Sequence, residues 1–203
     1  ALGRARLAAG GGKLWRLTPR GLVLASSYLA ATHVVSVLQP ALDKLSSEAQ
    51  EISSMAILDG NDVVFIARAS PTRIFSAGID IGYRLPAFCT SVGRVLLSRL
   101  PDNELAAVLK AMNPAPLTPF TVTDRKTLLK TIIADRAQGY SLVDREAEPG
   151  FRSISVPVRR YDGAIIAAIN MGAHVDRVSS ADMVERFLPR LREAAASVKS
   201  MLV

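Results

Sequence analysis

Few residues in this sequence are spaced to do chemistry. His33 and His174 lie 141 positions apart and Cys89 is the single cysteine. A zinc site would therefore need carboxylates and distant partners, and no metal is expected. Ser91 sits in Thr90-Ser91-Val92-Gly93, which lacks the leading glycine of a nucleophile elbow and has no evident histidine partner. A serine in the first turn of a helix is the better reading. Asp144, Glu146 and Glu148 form a carboxylate cluster of the kind that can do acid/base work. Arg145 and Arg152 among them favour a salt-bridged loop instead. Phosphate-binding and dinucleotide glycine motifs are missing, so neither a cofactor nor a catalytic residue is expected.

Binding chemistry is better represented. Cys89-Thr90-Ser91 precedes an apolar helical run. Such a start can be simple capping, or it can offer free N–H groups and a positive dipole end to an anion. Ser153, Ser155 and Asn170 place polar groups on runs otherwise built from Ile, Val and Ala. A buried polar side chain there needs backbone, water or a ligand as partner.

Charge separates the chain into two regions. The formal net charge is +7 over 203 residues, and Arg4, Arg6, Lys13, Arg16 and Arg20 precede the first acidic residue, Asp43. The basic character thus belongs to the N-terminal segment and suits nucleic acid, while the remainder is an ordinary mixed surface. A single cysteine excludes an intramolecular disulfide and points to a reducing, cytoplasmic setting. Gly21–Leu38 is uncharged, and 12 of its 18 residues are apolar. Glycine, serine, threonine and histidine interrupt it, which favours a buried helix over a membrane span.

These residues must be carried by elements of both kinds. Two short segments flank Gly10-Gly11-Gly12 and read as a hairpin. Thr18-Pro19 opens a helix through the uncharged stretch, and a second helical run follows over Val37–Gln50. Strands are expected over Ser53–Leu58 and Val63–Ala69 about the Asp59-Gly60-Asn61-Asp62 turn, then over Arg73–Ile79. Helices are expected over Thr90–Leu100, from Pro101-Asp102 to Met112, and from Asp124 to Gly139. Strands over Tyr140–Val143, Ser153–Val158 and Ile165–Met171 lead to a last helix from about Ala181. Hairpins interleaved with capped helices, without a βαβ rhythm, predict an α+β domain around a mostly antiparallel sheet.

Several motifs in the same order resemble the IclR family of bacterial regulators, and within it the group that controls aromatic-acid catabolism through the β-ketoadipate pathway. They are Leu14-Trp15-Arg16-Leu17-Thr18-Pro19-Arg20, Leu58-Asp59-Gly60, Gly82-Tyr83-Arg84-Leu85-Pro86, Ser91-Val92-Gly93-Arg94-Val95-Leu96-Leu97, Gln138-Gly139-Tyr140, Glu148-Pro149-Gly150-Phe151-Arg152-Ser153-Ile154 and Val156-Pro157-Val158. The resemblance implies the wing of a winged helix-turn-helix over residues 1–17, with Arg4, Arg6, Lys13 and Arg16 on DNA. It implies a linker and dimerisation helix over 18–36, and a GAF-like effector-binding domain over 37–203. It further implies a homodimer or dimer of dimers, and a small carboxylate effector. Ile74, Leu85, Cys89, Thr90, Ser91, Val92, Ser153, Asn170 and Gly172 would surround that effector, with Asp144 beside them. Many members carry an acidic residue where this chain has Val143, and small hydroxyl residues where it has Asn170 and Gly172. The rival expectations are a small hydrolase using Ser91 or the Asp144–Glu148 carboxylates, and a non-catalytic protein-interaction module.

Overall fold

A computed structural model describes residues 7–11, 14–71 and 80–202. The chain divides into two compact units, residues 1–36 and 37–203. In the first unit, β1 (Ala8–Gly11) and β2 (Leu14–Leu17) pair as an antiparallel hairpin. α1 (Arg20–Ala31) follows; the Thr18 and Pro19 carbonyls take the N–H groups of Gly21 and Leu22. The single helix expected over 18–36 is broken at Thr32. There the backbone leaves helical geometry, the hydroxyl donates to the Tyr28 carbonyl at 2.7 Å, and the residue acts as the C-cap of α1. α2 (His33–Ala49) therefore begins earlier than the predicted Val37.

The second unit is built on a six-stranded antiparallel sheet. Its strands are β3 (Ile52–Asp59), β4 (Asp62–Ala69), β5 (Arg84–Pro86), β6 (Ser141–Asp144), β7 (Phe151–Arg159) and β8 (Ile165–His174), in spatial order β5-β4-β3-β8-β7-β6. The turn at Asp59–Asp62 places Gly60 at φ +62°, as a tight hairpin demands. The strand expected over Arg73–Ile79 lies outside the described residues, and β5 is the strand that pairs with the far edge of β4.

Cross-strand partners share a face. Ser54, Asn170 and Ser155 form one such row, and Ser53, Met171 and Ile154 form the row on the opposite face. Ser53 donates to the Leu42 carbonyl of α2 at 2.7 Å, so α2 covers its face. The other face carries α3 (Ser91–Leu97), whose Ser91 bonds to Ser153 and Ser155. α4 (Asp102–Met112) and α5 (Arg125–Gln138) extend that layer, and Leu96, Leu105, Leu128, Ile132 and Ala168 meet in its core. Asp124 caps α5 by accepting the Thr127 N–H, and Gly139 closes it in the left-handed conformation, both as predicted. Near the C-terminus α6 (Ser180–Asp182) passes through a π turn, Met183–Phe187, into α7 (Leu188–Ser197), which packs on β7 and β8. The α+β expectation holds, with a sheet antiparallel throughout.

Candidate ligand-binding site

α3 is positioned by what is missing at Gly93. A Cβ there would overlap the Ala87 carbonyl, so the glycine lets the 3₁₀ turn Ala87–Cys89 press against the helix. Thr90 caps α3, its Oγ1 accepting the Gly93 N–H at 3.2 Å and its carbonyl accepting that of Arg94. Arg94 is itself buried. Its guanidinium donates to the Phe88 carbonyl at 2.9 Å and to Glu146 Oε2 at 2.8 Å, and Glu146 also accepts the Val122 N–H. This buried pair fastens the turn before α3, the helix and the β6–β7 connection to one another.

A cavity of about 740 Å³ opens between the first turn of α3 and the sheet. Leu85, Cys89, Thr90, Ser91, Val92, Ser153 and Asn170, all named from sequence, line it together. Ile74 lies outside the described residues. Two of the residues named from sequence do not line the cavity. Asp144 is not among the lining residues, because its carboxylate lies 3.1 Å from Arg152 Nε and 3.6 Å from Arg145 Nε. Gly172 is not either, because the end of the Phe151 ring lies over it where a side chain would stand.

The hydroxyls beside α3 form a chain. Ser155 donates to Ser91 Oγ at 2.6 Å, and Ser91 Oγ lies 2.7 Å from Ser153 Oγ. With the Ser155 proton spent on Ser91, Ser91 can give its own to Ser153, leaving the Ser153 hydrogen for an acceptor in the cavity. Asn170 Oδ1 is buried and has no hydrogen-bond partner, so it offers an acceptor to a ligand donor. Burial pushes the Cys89 thiol up to about 12, and it stays a neutral, apolar part of the wall.

Sequence reasoning did not place any charged residue other than Asp144 along the cavity. Glu51, Arg68, Glu148, His174 and Arg177 also line it, with Tyr83, Phe65 and Phe151. Arg177 donates to Glu51 Oε2 at 2.8 Å, and burial holds Glu51 above the usual carboxylate range against the opposing pull of Arg177. Arg68 is lowered by burial, an effect that Asp80 opposes. Their signal is positional: Ser54 and Asn170 are cross-strand partners, as are Phe151 and His174, and such register cannot be read before strand pairing is known. The carboxylates once weighed for acid/base work are dispersed, Asp144 to Arg152, Glu146 to Arg94 and Glu148 to the cavity wall. No group of three or more His, Cys, Asp or Glu side chains that could hold a metal occurs among the described residues. Among them, too, no single helix is long and apolar enough to cross a membrane.

The family described as the bacterial transcriptional regulator IclR C-terminal domain matches residues 26–200. This chain belongs to the IclR family. A relative, the Pca regulon regulatory protein of Pseudomonas putida, is 40% identical over 185 residues, covering 91% of this chain and 64% of its own length. The p-hydroxybenzoate hydroxylase transcriptional activator of Acinetobacter baylyi is 35% identical over 191 residues, 92% of this chain and 70% of the relative. The chain thus spans about two thirds of these regulators. Among solved structures, a transcriptional regulator from Rhodococcus sp. RHA1 matches with a TM-score of 0.86 at 42% identity, over 98% of this chain and 79% of that one. The inducer-binding domain of an Acinetobacter PobR double mutant, in complex with 3-hydroxybenzoic acid, matches with a TM-score of 0.79 at 34% identity, over 83% and 98%. An IclR homologue from Microbacterium hydrocarbonoxydans, complexed with 4-hydroxybenzoate, matches with a TM-score of 0.79 at 27% identity, over 98% and 80%.

Proposed function

We propose that this IclR-family chain is the effector-sensing part of a cytoplasmic, DNA-binding transcription regulator. It answers to a small carboxylate, an aromatic acid or β-ketoadipate-like intermediate, and so controls genes of aromatic catabolism without catalysing a reaction. The observation that carries this reading is the cavity against α3, whose polar wall keeps an unpaired acceptor at Asn170 and a relayed donor at Ser153. A hydroxybenzoate answers both. Its carboxylate accepts from Ser153 and from the main-chain N–H groups of Ser91 and Val92, and its hydroxyl donates to Asn170 Oδ1. The hydroxybenzoates bound by the related Acinetobacter and Microbacterium proteins support the same ligand class. Arg84 and Arg152, which could otherwise pair with an effector's carboxylate, are paired with Asp59, Asp62 and Asp144 and are not among the residues lining the cavity. Ser91 has two serines as its hydroxyl partners and no base among them, which speaks against a nucleophile.

Occupancy has a route to α2. Ser54 and Arg68 line the cavity on β3 and β4, while the neighbouring Ser53 donates to the Leu42 carbonyl and Gln39 of α2 donates to the Arg68 carbonyl at 3.0 Å. A ligand that favours one arrangement of this wall shifts the population of α2 positions with it. In the intact regulator, a homodimer or dimer of dimers, α1 joins subunits, and Arg4, Arg6, Lys13 and Arg16 contact phosphates. Of these four, Arg16 lies within the described residues, exposed on β2.

A thermal-shift screen of this chain against aromatic acids and dicarboxylates tests the reading, with each hit followed by chromatography. Stabilisation without turnover is the expected result. Turnover would favour a hydrolase, and a panel in which nothing stabilises the fold would favour an interaction module.

A further inference from the structure

Phe151 and Gly172 lie on adjacent strands and on the same face, two rows apart: Phe151 faces His174 across the β7–β8 ladder, Arg152 faces Ala173, and Ser153 faces Gly172. The ring leans along the sheet, so that a Cβ at position 172 would overlap Cζ and stand 2.6 Å from Cε1. Any residue but glycine at 172 must therefore move an aromatic side chain. The main chain of Phe151 cannot yield easily, because its N–H donates to the Glu148 carbonyl and its carbonyl accepts the Arg145 N–H at 2.9 Å. Behind the ring is the sheet, and the open side is the cavity that Phe151 lines. Val143, buried and paired in register with Ser153, adds an apolar neighbour in the row of Gly172.

We propose that Gly172 and Phe151 act as one specificity-determining pair. The glycine seats the ring, and the ring is the wall against which the aromatic ring of an effector packs, so the site takes hydroxybenzoate-class acids in preference to flexible aliphatic dicarboxylates. Aromatic pairs gain from offset or edge-to-face contact beyond the area they bury, which an aliphatic chain forgoes. A chain of methylenes also loses more rotamer freedom on binding than a rigid ring. This inference rests on the effector-sensing role above and sharpens it by choosing between the two ligand classes left open there.

Calorimetry of the chain with 4-hydroxybenzoate and with adipate is the test. The wild type should bind 4-hydroxybenzoate at least about tenfold more tightly than adipate, and Phe151→Leu should cut that preference to about threefold or less. Gly172→Ala should weaken 4-hydroxybenzoate about tenfold in the wild type, yet by less than about threefold in the Phe151→Leu background, where the shorter side chain no longer covers position 172. Melting without ligand checks that each variant is folded, and if Gly172→Ala is not, the preference measured in Phe151→Leu alone decides. An equal cost of Gly172→Ala in both backgrounds, or an unchanged preference in Phe151→Leu, overturns the pair. Wild-type protein that prefers adipate, or binds neither acid, overturns it too; the sensing role falls only if the whole panel of acids also fails to stabilise the fold.

Discussion

α1 and α3 are both written as apolar stretches with few or no charges, yet they end in opposite surroundings. Every residue of α3 is buried, Arg94 included, while none of α1 is, and Leu22, Val23, Leu24 and Tyr28 are exposed by 73%, 62%, 57% and 52%. The chain supplies α3 with everything its burial requires: a glycine for close approach, a cap, and a carboxylate for its one charge. Within its own unit, and among the described residues, α1 is given no buried position. The difference teaches that apolar composition states a need for burial without stating who meets it: for α3 the partner is the same chain, and for α1 we propose a second copy.

The largest effect should come from breaking the buried side of this contrast. Arg94→Leu leaves Glu146 buried without its cation and the Phe88 carbonyl without its donor, and should cost about 3–5 kcal/mol in chemical denaturation. A cost below about 1 kcal/mol would mean that α3 does not depend on this clasp. On the exposed side, Leu24→Arg should change the intrinsic stability by no more than about 0.5 kcal/mol, since the site is open to water within one chain. Sedimentation should nevertheless show the wild-type assembly dissociating. Identical sedimentation of variant and wild type would remove α1 from the interface.

The same contrast explains what could be read in advance. α5 was legible because Asp124 and Gly139 mark its ends by local capping chemistry, and β3 and β4 because Asp59-Gly60-Asn61-Asp62 is a turn on its own terms. Polar residues in apolar runs singled out Ser153 and Asn170, which the fold places on the cavity wall. The roles of Glu51, Arg68, His174 and Arg177 were not legible, because they depend on which strands pair and in what register. The setting of Asp144 was not legible for a related reason: its arginine partners are visible in sequence, but whether the pair turns toward the cavity is not. The break at Thr32 escaped because a hydroxyl capping the helix that ends there looks, in sequence, like one more polar interruption.

Smaller effects sharpen the site itself. Asn170→Ala should weaken 4-hydroxybenzoate by up to about tenfold, the worth of one hydrogen bond, and leave benzoate unchanged because it has no hydroxyl to donate. Equal losses for both acids, read by calorimetry, would take Asn170 out of hydroxyl recognition. The smallest effect concerns pH. Burial raises Glu51 above its ordinary 4.5, so in the window just above that value the native state keeps a proton that the unfolded chain has released. Stability therefore falls as pH rises through this window. Glu51→Gln should remove that part of the fall, visible as a smaller loss of melting temperature between pH 4 and pH 7; an identical pH dependence would show that Glu51 carries no burial penalty.

The most direct measurement is calorimetry of this chain with 4-hydroxybenzoate beside its methyl ester. If the cavity against α3 receives a carboxylate, the acid binds at one site per chain and the ester binds at least about tenfold more weakly, having lost its charge-assisted hydrogen bonds. Equal affinity for acid and ester, or no binding of either, would contradict the account.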